Sequence, residues 1–385
     1  MTVLVAPSGF KESLGAQEVA DEIAAGVLRV CPHATVLKAP MADGGEGFTD
    51  ALVAATGGQR HALRVTGPLG EPVEAFFGLL GGPGPRTAVV EMAAAAGLRL
   101  VPRDRRDPLR TTSFGVGQLV RAALDAGAER ILLGCGDSGT NDGGAGMAQA
   151  LGVRLLDADG RDIGFGGGEL ARIARIDLSG RDPRLARVQL DAAVNWHNLL
   201  LGERGVARVF GPQKGATPAQ VLALDAALAH YAGLLHQATG QDLRAAPGAG
   251  ASGGLGAGVT ALLGGRLHPR FDIVMRYLEL DALLARADLV ITAEGSLDAQ
   301  TPYGKVPAEV ARRAKLRGLP VVALAGCLGQ GVDANLAHGI DAFANIQPRP
   351  CTLDESIAHS RDWLMQAAED AMRLLRVGAR LGYCG

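Results

Sequence analysis

The sequence predicts an α/β protein. A parallel Rossmann-like domain is built from both chain termini, and a mixed α/β domain is inserted between them. Three observations predict this. Short apolar runs alternate with helical-period segments at the start of the chain, and the same alternation returns at its end. The middle carries a hairpin signature instead. Glycine-rich polar loops follow several of the apolar runs, as they do where a parallel strand hands over to its helix.

The elements follow in order. Val3 to Ala6 is an apolar run that stops at Pro7 and reads as a buried strand. Residues 16–30 place Val19, Ala20, Ile23, Val27 and Val30 at helical spacing, with Gly15 as N-cap and Glu18 three residues on. Thr35 to Ala39 is a second strand, and a helix is predicted over 47–55. Arg60–Thr66 and Pro72–Leu80 are joined by Gly67-Pro68-Leu69-Gly70, an antiparallel hairpin, and Thr87–Met92 is a further strand. A helix over 113–126 leads to the strand Ile131–Gly134. From there to about Gly265 the pattern is irregular, with one clear helix over 218–236. The parallel style resumes with strands at 289–292, 320–325 and 342–346, helices at 307–316 and 334–338, and a long final helix over 353–376. The expected domains are residues 1–63 with 287–385, and residues 64–286, with a ligand cleft between them.

Composition excludes several classes. The 385 residues are 48% hydrophobic and 20% charged, enough for a sizeable core and against disorder. A net charge of -2 with no basic stripe argues against nucleic acid as a partner, and 4% aromatics argue against a stacking platform for single strands. No apolar run approaches the roughly 20 residues that span a bilayer. The start lacks a signal-peptide pattern, and Cys31, Cys135, Cys327, Cys351 and Cys384 form no CxxC pair. A cytoplasmic protein working on small molecules is expected. A homo-oligomer is left open.

Four loops carry candidate chemistry. The first, Pro7 to Leu14, opens a helix, and Lys11 adds a full charge beside the anion-seeking N–H groups of a helix start. An ordinary turn with a solvated lysine would look the same. The second, Met41 to Gly47, sets Asp43 and Glu46 among Gly44, Gly45 and Gly47, at the carboxyl end of a strand. Carboxylates there serve as magnesium ligands or as a base for a hydroxyl; a helix cap needs only one of them. The third, Gly134 to Gly144, holds Asp137, Ser138, Thr140, Asn141 and Asp142. The fourth, Ala293 to Lys305, holds Glu294, Asp298 and Lys305, a compact set for metal and phosphate. Gly211 to Gly215, with Lys214, is a fifth candidate and equally a simple turn.

Gly134, Gly136 and Gly139 fit G-x-G-x-x-G after a strand, with Asp157 about twenty residues on, so an NAD-dependent dehydrogenase of a small hydroxy acid is the rival reading. Against it, Asp137 and Asp142 would repel a bare pyrophosphate, and the helix to about Leu151 is short for a parallel crossover. A second match, Gly248, Gly250 and Gly253, follows a helix. A non-catalytic two-domain binding protein is the third reading. No GxxxxGK[ST], protein-kinase, nucleophile-elbow or H-E-x-x-H motif occurs. His197, beside Trp196 and Leu199, reads as a packed or hydrogen-bonded histidine.

At these loops the sequence resembles the type-1 glycerate kinase family. The resemblance runs almost end to end, through Ala6 to Ser13, Ala42 to Gly47, Gly136 to Gly144, Phe210 to Ala216, Gly248 to Gly254 and Glu294 to Lys305. It implies transfer of the ATP γ-phosphoryl group to D-glycerate with Mg2+, on a two-domain α/β fold. Oxygen 2 or oxygen 3 as the acceptor is left open, with 2-phosphoglycerate the product expected over 3-phosphoglycerate. Phosphoryl-transfer logic then assigns the parts. Lys11 and Lys305 clamp phosphate, and Asp43 orients and deprotonates the glycerate hydroxyl. Asp298 and Glu294 hold magnesium, with Asp137 and Asn141 in support. Ser13, Gly44, Gly45, Ser138, Thr140, Asn141 and Lys214 bind substrate or phosphate. The chain departs from the family's common pattern at Ser8-Gly9, at Asn195-Trp196-His197, and at Ala293 and Ser296, where an arginine is lost. These departures bear on substrate range.

Overall fold

The computed structural model of the chain describes residues 1–10, 13–41 and 44–381. Contacts divide the protein into two compact units, Met1–Ala42 with Val274–Gly385, and Asp43–Ile273.

The chain opens with β1 (Thr2–Val5), α1 (Ala16–Val30) and β2 (Thr35–Lys38). The capping of α1 follows the sequence: the Gly15 N–H donates to the Glu18 carboxylate at 2.9 Å. Its stripe of Val19, Ile23 and Val27 is fully buried, each side chain contributing about 1.5–3 kcal/mol.

The second unit begins with α2 (Phe48–Thr56), β3 (Gln59–Thr66), β4 (Pro72–Leu79) and β5 (Thr87–Glu91). It continues through α3 (Met92–Ala96), α4 (Phe114–Asp125), β6 (Arg130–Gly134), α5 (Ala145–Ala150), β7 (Arg154–Leu156), β8 (Arg175–Asp177) and β9 (Gln189–Val194). It closes with α6 (Val206–Phe210), α7 (Pro218–Thr239), α8 (Ala251–Ala261) and β10 (Arg266–Pro269). The six-stranded sheet runs β10-β9-β6-β5-β4-β3. Its β10-β9-β6-β5 part is parallel, and β4 and β3 complete it antiparallel, with the hairpin where the turn chemistry puts it. β7 and β8 form a small antiparallel pair. One core joins Leu119 and Val120 of α4, Ile131 and Leu133 of β6, Met147 of α5, Val194 of β9, Tyr231 of α7 and Leu255 of α8.

α9 (Arg270–Tyr277) and α10 (Leu280–Leu284) lead back to the first unit, which ends with β11 (Leu289–Glu294), α11 (Val306–Lys315), β12 (Val321–Ala325), β13 (Ala342–Asn345) and α12 (Leu353–Leu381). Its five strands run β13-β12-β11-β1-β2, all parallel. One core joins Val3, Val5, Ile291 and Leu324 with Ile23 and Val27 of α1 and Leu364 and Met372 of α12.

The α/β class is as the sequence predicts. Residues 44–63, expected on the terminal side of a boundary at 64, belong by contacts to the second unit, because α2 packs on β4 and β5 and β3 pairs with β4. The helix read to about Leu151 is α5, but the rest of the segment read as irregular is not so: it holds β9 inside the sheet, the β7–β8 pair, α6 and α8, and β10 follows directly on it. β9 escaped because Asp191 interrupts a short run. That buried carboxylate accepts from Gln189 Nε2 at 2.6 Å and contacts His268 Nε2 at 2.8 Å. α8 escaped because four of its eleven residues are glycine.

Candidate functional site

In the first unit, β2 lies on one side of β1 and β11 on the other, so strand order reverses between β1 and β11. Ligands of open α/β sheets bind outside the carboxyl ends of the strands at such a reversal. The two loops leaving those ends are the first and the fourth. They touch: the Ser8 N–H donates to the Ala293 carbonyl at 2.8 Å and the Ser8 hydroxyl to the same oxygen at 3.1 Å. Ser13 donates its hydroxyl to Ser360 Oγ of α12 at 2.6 Å, which ties the first loop down. Lys11 lies outside the described residues.

In the fourth loop, Lys305 stands at the N-cap of α11. Its ammonium reaches the Ser296 carbonyl at 3.0 Å and the Asp298 carboxylate at 3.2 Å. Burial acts to raise the Asp298 pKa, but the Gln300 N–H and Lys305 outweigh it and the value is lowered. Asp298 is therefore an anion at neutral pH. Glu294 closes β11. Two carboxylates of this kind are the hard oxygen donors that magnesium takes. Among the described residues no three His, Cys, Asp or Glu side chains are grouped as metal ligands.

In the second unit the third loop leaves β6 and is tied down along its length. Asp137 is exposed, with left-handed backbone at φ 49°, and its carboxylate accepts the Glu46 N–H at 3.0 Å. Thr111 donates its hydroxyl to the Gly139 carbonyl at 2.9 Å. Asp142 is buried and faces its own backbone, accepting from Ser113 N–H (2.7 Å), Ser113 hydroxyl (2.8 Å), Gly144 N–H and Gly146 N–H. Burial still raises its pKa despite these donors. The expectation that Asp142 would repel a bound pyrophosphate therefore fails, since it serves the starts of α4 and α5.

Lys214 is buried and crosses to this loop, with its ammonium 2.8 Å from Ser138 Oγ, 2.7 Å from the Thr140 carbonyl and 2.9 Å from Asn141 Oδ1. Burial pulls its pKa down to about 7, against the opposing charge of Asp142. Four residues singled out from the sequence are thus brought together, three of them joined through the fourth. The second loop meets the third through glycines. A Cβ at Gly136 would come within 2.6 Å of Gly45 Cα, and one on Gly44 within 3.3 Å of the Cys135 nitrogen. Two of the glycines that fit the dinucleotide fingerprint, Gly134 and Gly136, face the second loop and the start of α2, whereas Gly139 packs on Gly97 and Val101. Asp43 lies outside the described residues.

The family model described as glycerate kinase family matches residues 3–376. The chain belongs to the glycerate kinase family. It is 49% identical over 369 residues to a glycerate kinase of Halalkalibacterium halodurans, covering 96% of this chain and 97% of that one. It is 46% identical over 381 residues to the glycerate 2-kinase of Escherichia coli, covering 99% of each. The crystal structure of a Salmonella typhimurium protein described as a glycerate kinase 2 superposes with a TM-score of 0.86 at 46% identity, over 99% of this chain and all of that one.

Within this member of the glycerate kinase family, three features escaped the sequence reading. Glu91, at the end of β5, is 1% exposed and accepts the Thr49 N–H at 3.2 Å, and also a bond from Gly47, at the start of α2. Burial, only partly offset by those N–H groups, pushes its pKa up to about 7. The signal was available, since it is a lone charge between the apolar runs Thr87–Val90 and Met92–Ala96. Ser252 sits in left-handed backbone at φ 52° with its neighbours Gly253 and Gly254, in the first turn of α8. His197, expected to be packed or hydrogen-bonded, is exposed, and its backbone N–H donates to Asn195 Oδ1 at 3.1 Å.

Proposed function

We propose that the chain transfers the γ-phosphoryl group of ATP to the 2-hydroxyl of D-glycerate, giving 2-phosphoglycerate and ADP. The observation that carries this reading is the match along nearly the whole chain, at 46–49% identity, to relatives named glycerate kinase. The 2-position is supported by the Escherichia coli relative, named a glycerate 2-kinase. In the reaction the hydroxyl oxygen bonds to the γ-phosphorus as the bond to the β–γ bridging oxygen breaks, and the hydroxyl proton passes to a carboxylate. Asp43 is that base. Lys305, on the fourth loop at the strand-order reversal, and Lys11 take nucleotide phosphate oxygens, and Asp298 and Glu294 would hold Mg2+. Magnesium supplies charge neutralisation on the phosphates. Asp137 supports the second loop through its bond to the Glu46 N–H. A cytoplasmic location goes with the free thiols of Cys31, Cys135, Cys327 and Cys351, and among the described residues no helix is long and apolar enough to cross a membrane.

The purified protein with Mg2+-ATP is expected to consume ATP only when D-glycerate is added, and enolase alone is expected to convert the product to phosphoenolpyruvate. A requirement for added phosphoglycerate mutase reverses the position. Turnover with NAD+ in the absence of ATP ends the kinase reading. Asp43→Asn is expected to lower kcat at least about 100-fold, the loss typical of a general base. Its melting temperature should stay near wild type, because asparagine has nearly the size and shape of aspartate and the N-cap of α2 is Gly47, not residue 43.

A further inference from the structure

An ammonium group has three N–H donors and no acceptor. In its protonated form Lys214 directs all three to the third loop: Ser138 Oγ, the Thr140 carbonyl and Asn141 Oδ1. None is left for a ligand unless one of those bonds breaks. The same bonds set the direction of what surrounds them. Because a donor-only group faces Asn141, the amide must present Oδ1 to it, which turns Nδ2 away as a donor.

Asn141 Nδ2 is buried and has no hydrogen-bond partner among the described residues, and neither has the hydroxyl of the adjacent Thr140. A third such group, Ser252 Oγ, belongs to the segment that packs on them. A Cβ at Gly253 would lie 1.9 Å from the Thr140 carbonyl oxygen and 2.8 Å from Asn141 Cα, so only glycine fits there, and Ser252 is its neighbour. Ser252 also holds a left-handed φ of 52°, strain of the sort that persists where surrounding structure imposes it. Buried donors without partners are rare and destabilising. Asp142 offers them nothing, since Ser113, Gly144 and Gly146 already occupy its carboxylate.

We propose that the Asn141 amide, the Thr140 hydroxyl and the Ser252 hydroxyl are the donors for an anionic oxygen of a bound substrate, and that Lys214 is a positioning residue that aims them without itself touching the ligand. The ligand chemistry is an oxyanion, either the carboxylate of the hydroxy acid or a phosphoryl oxygen of the nucleotide. The choice of these two ligands rests on the kinase reading.

The test uses full-length Thr140→Val, Asn141→Asp and Ser252→Ala, with KM for D-glycerate and for ATP, kcat and melting temperature measured for each. Thr140→Val keeps the side chain's shape and removes an unpaired hydroxyl. It is expected to melt at or above wild type while one KM rises about 10-fold. Asn141→Asp keeps an acceptor for Lys214 and replaces the donor with an anion. It is expected to stay folded while the same KM rises about 100-fold. A rise in the glycerate KM identifies a carboxylate oxygen, and a rise in the ATP KM a phosphoryl oxygen. Folded Thr140→Val and Ser252→Ala proteins with both KM values within about twofold of wild type overturn the proposal, whether or not Asn141→Asp folds. If wild type does not turn over D-glycerate, the kinase reading falls separately. Calorimetric titration of wild type and Thr140→Val with D-glycerate and with ATP then decides the donor assignment, and equal affinities overturn it.

Discussion

At the scale of single residues, the second unit concentrates its unusual electrostatics around the second and third loops. Glu91 is the clearest case. Its pKa is raised to about 7 by burial from an ordinary value of 4.5. Between those two values the folded chain keeps a proton that the unfolded chain has released, so stability falls as pH rises through that window. Above it the cost of the buried charge is complete, about 3 kcal/mol. Glu91→Gln keeps an acceptor for the Thr49 N–H without the charge. Denaturant melts are expected to show the variant more stable than wild type at pH 8 and equal to it near pH 4; equal stability at both values would mean the carboxylate is not held neutral. Lys214 illustrates what one-dimensional reading misses. It stood in the sequence as a residue of a short turn, and its partners lie more than seventy positions away. Its residue type was legible, but its use as a strut was not, because that depends on the chain folding back on itself.

At the scale of elements, α1 and α12 cover one face of the parallel sheet and cross closely at Gly26. A Cβ there would come within 2.3 Å of the Met365 carbonyl and 2.8 Å of Ala368 Cβ. Gly26→Val is therefore expected to force the helices apart and to destabilise the protein by about 1–3 kcal/mol, read from the denaturation midpoint. A substitution judged only by helix propensity would be expected to help, since glycine is poor inside a helix; an unchanged or higher midpoint would show that α12 can move aside. The helices α1, α4, α7, α11 and α12 were readable because each carries an apolar stripe or a start signal, such as Thr217 and Gln220 capping α7. β9 was not readable, because Asp191 interrupts its short apolar run. Of the residues that make that carboxylate tolerable, Gln189 stands two positions away on the same strand, and His268 meets it only in the folded sheet.

At the scale of the whole molecule, each unit has its own core: the residues of one lie between Val65 and Leu263, and those of the other come from Val3–Val30 and Leu289–Met372. The second unit is one continuous stretch of chain, while the first needs both ends. The fragment 43–273 is expected to unfold cooperatively by itself, and residues 1–42 are expected to require 274–385 joined to them by a flexible linker. Circular dichroism melts of the two fragments check this, and a broad, non-cooperative melt of fragment 43–273 would show that the units depend on each other. The sequence by itself determined the α/β class, the hairpin inside it, the glycerate kinase family and the loops that carry polar residues, because periodicity, turn chemistry and motif order are local or linear properties. Only the tertiary structure decided that β1 and β11 adjoin at the reversal of strand order, that Glu91 is a buried carboxylate under α2, and that Lys214 binds the third loop from within. Each of these depends on burial and on contacts between distant segments, and neither exists until the chain has folded.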